Sequence, residues 1–346
     1  MNSPFSRLNG HASYAIIAAR PAAGIRGFFY HPLYRRVNEF LTSPSISEET
    51  KRSVSVIIDS HVHMFSQRII ANVSKKSEMT ARLRLQTDGA QSRCNAEALE
   101  QEARPAGISA CLLLPTADAA NVQKVNTAFL RMAAETDFLY TAGTLHPARK
   151  DNDKELLRLE AASVRALKFC SFSQGFALEA PGTLCLFDLI QDFNRKKKDG
   201  FFVVMDTLYH AHRHFGTLPQ YNTSPALLGK LARSYPGIKF VAAHMGGLDA
   251  PFDEILRGLP PAKNLFLDTS NAGHTLQEKE FLRLLELHGP EHILFGSDWP
   301  WFGYEKEIKH IDKLLGKAGY TEKEKSRVFS GNIARLLGIE TASTKA

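Results

Sequence analysis

From Val54 onward the chain alternates short apolar runs with longer stretches in which apolar positions recur at helical spacing. Eight runs stand out: Val54 to Asp59, Ile108 to Leu114, Phe138 to Leu145, Val164 to Phe169, Phe201 to Asp206, Ile238 to Ala243, Leu265 to Thr269 and Ile293 to Ser297. Most are almost continuously apolar, the pattern of parallel strands covered on both faces. Parallel strands need crossovers, and the amphipathic stretches Asn121 to Glu135, Leu184 to Lys198, Ser224 to Ser234 and Leu276 to Leu287 are long enough to supply them. Eight such units predict an α/β fold of the (β/α)8 TIM barrel type, over a span near the roughly 250 residues typical of it. The rival, an open doubly wound sheet, expects a glycine-rich phosphate turn after the first strand, where Asp59-Ser60-His61 stands instead.

The same pattern divides the chain. Residues 1–52 read as an extension and linker, ending in a polar stretch from Thr42 to Ser53, residues 53–340 as the barrel and residues 341–346 as a tail. Met64 to Ala90, of mixed charge and little periodicity, is expected to be a loop over the barrel mouth. Tyr320 to Ser330 and Asn332 to Leu337 read as two closing helices separated by Gly331.

Composition narrows the functional classes. The chain carries a formal charge of +7, but residues 1–38 hold five arginines and no acid, which leaves +2 for the rest. No basic stripe interleaved with aromatics appears, so nucleic acid is not an expected partner. The apolar run Tyr14 to Ala19 falls far short of the roughly 20 residues that cross a bilayer. No membrane span is expected. Cys94, Cys111, Cys170 and Cys185 stand singly, as in a reducing, cytoplasmic setting. The acid-free leader is also similar to an organellar transit segment. A small-molecule substrate is the expected partner, with a homodimer as the candidate assembly.

The chemistry gathers at the ends of the predicted strands. His61 and His63 follow the first strand two positions apart, and extended backbone has a side-chain period of two, so both imidazoles can face one cation. The same spacing recurs at His210, His212 and His214 in a polar segment. What singles out the first pair is its place on the barrel face where active sites are built. Asp298 ends the eighth strand, which a closed barrel sets beside the first; the alternative is a turn cap. His244 ends the sixth strand before Met245-Gly246-Gly247. It would serve as electrophile, proton shuttle or further ligand, or else bond a loop carbonyl structurally.

Taken together, His61-x-His63, His244-Met-Gly-Gly, Gly-Ser-Asp298-Trp-Pro and the terminal Asn332-Ile-Ala-Arg-Leu-Leu-Gly338 resemble the amidohydrolase-related family over residues 55–339. That family also contains metal-dependent decarboxylases of the aminocarboxymuconate-semialdehyde type. The resemblance implies a divalent metal ion, zinc first and manganese or iron as alternatives, held by His61, His63 and Asp298, with Asp206 as the fourth ligand. Such proteins usually carry a ligating histidine after the fifth strand, where this chain has Asp206; a carboxylate there would lower the site's charge by one and favour a harder ion. Asp298 and His244 are the candidate catalytic pair, and Lys168, Trp299 and His210 the candidate substrate contacts. Lys168 would bind a substrate carboxylate or pair with Asp206. The implied reaction is hydrolysis of an amide, ester or lactone by an activated water, with non-oxidative decarboxylation of a small aromatic acid as the alternative. Asp206 keeps open a third reading, a barrel that binds a ligand without catalysis.

Overall fold

The computed structural model describes residues 56–339 apart from residue 198. The expectations for residues 1–52 and 341–346 lie outside the described residues. Among those described, eight parallel strands follow one another: β1 (Ile57–Val62), β2 (Ile108–Leu113), β3 (Leu139–Thr141), β4 (Ala166–Phe169), β5 (Phe202–Met205), β6 (Lys239–Ala242), β7 (Leu265–Asp268) and β8 (Ile293–Leu294). Each overlaps one of the eight apolar runs, and helices separate successive strands.

Regular pairing arranges the strands in two arcs, β1-β2-β3 and β4-β5-β6-β7-β8. Hydrogen bonds join the arcs at both seams. Between β3 and β4, Gly143 N donates to Ala166 O and Lys168 N donates to Gly143 O, both at 2.8 Å. Between β8 and β1, Ser60 N donates to Phe295 O at 2.9 Å, Asp298 N to His61 O at 3.0 Å and His63 N to Trp299 O at 2.9 Å. The strands therefore form the ring of a (β/α)8 barrel, and the doubly wound alternative falls.

Burial on both strand faces explains the unbroken apolar runs. Ile58, Leu112, Ala166, Phe202, Val204, Val241, Phe266 and Leu294 fill the barrel interior, while Ile57, Leu113, Phe169, Val203, Met205 and Phe240 pack outward with the helices. The final helix, Asn332–Leu337, sends Ile333, Ala334, Leu336 and Leu337 into the inner cluster and so plugs the barrel floor. Asn332 Nδ2 fastens it there, donating to Pro290 O at 2.7 Å and Ile293 O at 2.8 Å.

Two expectations change. Gly331 does not separate two helices: the backbone continues through a wide π turn, Arg327–Gly331, into the last helix. Within that turn Val328 O accepts from Phe295 N at 2.9 Å, extending the hydrogen bonding of β8. Met64 to Ala90 is not plain loop either, since it carries helices Gln67–Ser74 and Ser77–Arg82. Ile70, Val73, Met79 and Leu83 are buried beneath them, an apolar face that the charged positions between them obscure.

Helices Pro225–Ser234 and Phe252–Gly258 meet through two glycines. A Cβ added at Gly229 would lie 1.9 Å from Gly258 O, inside any allowed contact. Gly229→Ala is expected to destabilise the protein by about 1–3 kcal/mol through overpacking, read as a lower denaturation midpoint; unchanged stability would show that the two helices have room to separate.

His288 supplies a pH-dependent term. Burial, with His292 adding to it, pushes its imidazole from 6.5 down to about 4. The folded state thus stays unprotonated where the unfolded chain binds a proton, so this contribution is complete above pH 6.5 and is lost as pH falls toward 4. Its size is on the order of 3 kcal/mol. His288→Leu is expected to flatten the acid limb of a stability-against-pH curve, and an unaltered limb would remove His288 as its cause.

Candidate metal centre

The C-terminal ends of β1, β6, β7 and β8 bring His61, His63, His244, Asp268 and Asp298 together in the barrel mouth. All five are buried. Two groupings of possible ligand atoms lie within 4.8 Å of one another among the described residues: His61, His63 and Asp298, and His61, His244 and Asp268. Their hydrogen bonding tells them apart.

In the second grouping the facing atoms already satisfy each other. His61 Nδ1 lies 2.9 Å from Asp268 Oδ2, and His244 N donates to Asp268 Oδ1 at 2.9 Å. His244 Nδ1 lies 2.9 Å from both Ser270 O and Ser270 Oγ, and the Ser270 hydroxyl donates in turn to Asp268 Oδ1. With its Nδ1 proton given to Asp268, His61 turns the lone pair of Nε2 toward the mouth, the arrangement by which a carboxylate orients a ligating histidine.

In the first grouping the acceptors lack protons. His61 Nε2 and His63 Nε2 stand 3.0 Å apart, and Asp298 Oδ1 lies 3.8 Å and 3.5 Å from them. A proton on His63 satisfies one of these contacts, whereas a single divalent cation would satisfy all three. Two imidazoles and a carboxylate suit zinc, manganese or iron. The expected pairing of the HxH motif with the eighth-strand carboxylate is thus present, and it follows from the β1–β8 seam.

The surrounding charges agree with this assignment. Burial, with help from Lys168 and His63, pushes His61 down to about 4 against the pull of Asp268, so its imidazole is neutral near pH 7. Burial alone would also lower His244, but the Asp206, Asp298 and Asp268 carboxylates lift it to about 9. Burial raises the Asp298 carboxyl, yet His63, His244 and His61 outweigh it and hold the group below its usual range.

Asp206 departs from the expected fourth-ligand position. It belongs to neither grouping among the described residues. Its Oδ1 accepts from Leu208 N at 3.0 Å, and its Oδ2 faces His244 Nε2 at 3.9 Å. The reason is strand adjacency: β5 pairs with β6, so the carboxylate that ends β5 meets the histidine that ends β6, away from His63. Burial works against its ionisation, but His244 and Lys168 hold it well below the carboxylate range.

Among the candidate substrate contacts, Trp299 is fully buried and its Nε1 donates to Glu102 Oε2 at 3.3 Å. That makes it a packing residue beneath Asp298 and corrects the expected substrate role. Phe65 is the aromatic next to the centre, stacked on His63 with ring centroids 4.5 Å apart and backed by Trp301. His210 lines a groove of about 390 Å³ together with Arg82, Leu83, Gly247, Asp249 and Thr275, beside the mouth and outside the ligand groupings. His212 and His214 are likewise apart from those groupings: His212 Nδ1 lies 2.6 Å from Asn222 Nδ2, and His214 Nε2 lies 3.9 Å from Asp249 Oδ2. Lys168 is buried under the mouth.

Sequence reasoning missed Asp268 and Ser270, the residues that orient both His61 and His244. Their signal was present, an aspartate closing the apolar run Leu265-Phe266-Leu267 at the same strand end as the other candidates.

A family model described as amidohydrolase matches residues 200–339. Comparison with curated protein sequences finds no match. Solved structures share the fold over nearly their whole length. An uncharacterised TIM-barrel protein from Bordetella bronchiseptica is 17% identical, with a TM-score of 0.64, covering 82% of this chain and 98% of its own. An amidohydrolase from Burkholderia multivorans with bound zinc is 15% identical, with a TM-score of 0.60 and coverage of 82% and 100%. A dihydroxybenzoic acid decarboxylase from Polaromonas sp. JS666, with bound manganese and the inhibitor 2-nitroresorcinol, is 14% identical, with a TM-score of 0.60 and coverage of 83% and 98%. The match over residues 200–339 takes in His244 and Asp298, and the barrel that closes onto His61 and His63 is the fold that these solved structures share.

Proposed function

We propose that this protein is a metal-dependent hydrolase of the amidohydrolase-related type that cleaves an amide, ester or lactone bond. The observation that carries this reading is the convergence of His61 Nε2, His63 Nε2 and Asp298 Oδ1 within 3.8 Å of one another, with the far nitrogen of His61 tied to Asp268. The amidohydrolase match over residues 200–339 supports the enzyme class, and the bond broken is part of the same proposal.

His61, His63 and Asp298 would hold the ion. When bound, a divalent cation supplies Lewis-acid polarisation and makes water a stronger acid. Asp298, kept ionised, accepts the proton of the attacking water and returns it to the leaving group. His244, protonated and steered by Ser270 and Asp206, donates a hydrogen bond to the oxygen on which negative charge develops. Phe65 and Trp301 form one apolar wall and keep bulk water from His63.

Decarboxylation is the second reading, favoured by the aromatic wall beside His63 and by the solved neighbour that decarboxylates a dihydroxybenzoic acid. The two part on stoichiometry, since hydrolysis consumes water and decarboxylation releases carbon dioxide. The zinc- or manganese-loaded protein is expected to turn over a member of a panel of lactones, esters, amides and hydroxybenzoic acids. Carbon dioxide release without water uptake would decide for the second reading, and the absence of stoichiometric metal in the purified protein would sink both.

Asp298→Asn is expected to lower that turnover by about 10²- to 10⁴-fold while circular dichroism shows an intact fold; full activity in the variant would remove Asp298 from the chemistry. Asp268→Asn leaves every proposed ligand in place but loosens the grip on His61 Nδ1. Zinc affinity, measured by competition with a chromogenic chelator, is expected to fall by about 10- to 100-fold, and unchanged affinity would mean that His61 is not oriented through Asp268.

A further inference from the structure

Lys168 brings a cation into the barrel interior. In the β4–β5 register Ala166 sits opposite Phe202 and Lys168 opposite Val204. Side chains alternate between the two faces of a strand, and Ala166, Phe202 and Val204 belong to the inner cluster. Lys168, two residues beyond Ala166, therefore points inward at the level of Val204, and Asp206, two beyond Val204, points inward one step nearer the mouth. Lys168 is 1% exposed, and its Nζ has no hydrogen-bond partner among the described residues.

An ammonium with three donors is costly to hold in a dry interior unless acceptors and a counter-charge reach it. The interior at that level and below offers none, since Val204, Val241, Phe266 and Leu294 are apolar. Asp206, next toward the mouth on the neighbouring strand, feels the Lys168 charge, but one of its oxygens takes Leu208 N and the other faces His244. The open direction is upward, into the mouth where a substrate would lie. Three carboxylates already surround the centre, Asp206, Asp268 and Asp298, which disfavours a multiply charged phosphate there. A single carboxylate would supply the acceptor that Lys168 Nζ lacks among the described residues.

Resting on the reading of the strand ends as an active site, we propose that Lys168 anchors a carboxylate of the substrate. The substrates are then small carboxylic acids whose carboxylate points toward β4 while the reacting bond lies over His61, His63 and Asp298. Lys168 acts on binding and registration of the substrate and takes no part in proton transfer.

The test compares benzoate with benzamide, a probe of similar shape without the charge, by calorimetric titration of the full chain, both zinc-loaded and stripped with chelator. Lys168→Met is expected to weaken benzoate at least ten-fold and leave benzamide unchanged, while Lys168→Arg retains benzoate within a few-fold. Lys168→Gln is the second neutral variant should the methionine chain fail to fold, and it must show the same selective loss. Zinc stoichiometry equal to that of the parent in the neutral variant assigns the loss to the anion contact. The stripped protein keeps the Lys168-dependent difference even if the metal-centre reading fails, so the two failures are told apart. Equal benzoate affinity in the parent and the neutral variant, or no benzoate binding by the parent at millimolar concentration, overturns the proposal.

Discussion

Everything in the mouth of this barrel depends on β8 lying against β1, and a buried carboxylate holds that seam. Asp59 Oδ1 accepts from His61 N at 2.9 Å and from Ser297 N at 3.0 Å, and Oδ2 accepts from the Ser297 hydroxyl. The contact also needs Gly296, where a Cβ would come 2.8 Å from His61 Cβ. Burial raises the Asp59 carboxyl to about 7 despite these donors, which is the electrostatic cost of placing an acid inside the ring. What it secures is the register that sets Asp298 beside two histidines more than 230 residues away in the chain.

From that seam the site is built by a relay of polar contacts around successive strand ends. Asp268 and Ser270 on β7 turn His61 and His244 so that their Nε2 atoms face the mouth. Asp206 on β5 then meets His244 from the other side. At these ends His244 at φ 56°, Met245 at φ 52°, Asn271 at φ 57° and Asp298 at φ 61° adopt left-handed backbone conformations that a side chain disfavours. Such strain costs about 1–3 kcal/mol per residue and persists only where the surroundings impose it. Here it coincides with the groups that carry the chemistry.

The connection after β1 closes over this arrangement from outside. Phe65 stacks on His63, Lys76 Nζ donates to His214 O at 2.7 Å and Arg82 pairs with Asp249. The helices Gln67–Ser74 and Ser77–Arg82 are thereby tied to the connections that follow β5 and β6. The groove past His210 runs along that junction. Where Phe65 and Trp301 cover His63, the exclusion of water strengthens the electrostatic interactions of the ligands, so the packing that orders this connection also tunes the groups beneath it.

The eight strands were legible because parallel strands buried on both faces must be apolar almost throughout, and no local competitor imitates that pattern. His61 and His63 were legible because a period of two aims both at one point whatever the rest of the chain does. Asp298 and His244 could be read because each ends a recognisable strand. Helices across Met64 to Ala90 were hidden, since half of their surface is charged and the buried positions are widely spaced. The parts that involve two or more strands had no local signature: Asp268 looks like any aspartate ending a strand, and Asp206 looks equally fit to bind an ion or to pair with a histidine. Pattern along the chain thus determines which elements form and which side chains stand at their ends. Only ring closure and strand adjacency decide that Asp268 orients His61, that Asp206 goes to His244 and that Trp299 packs against Glu102, because those choices depend on distances between residues that the chain keeps far apart.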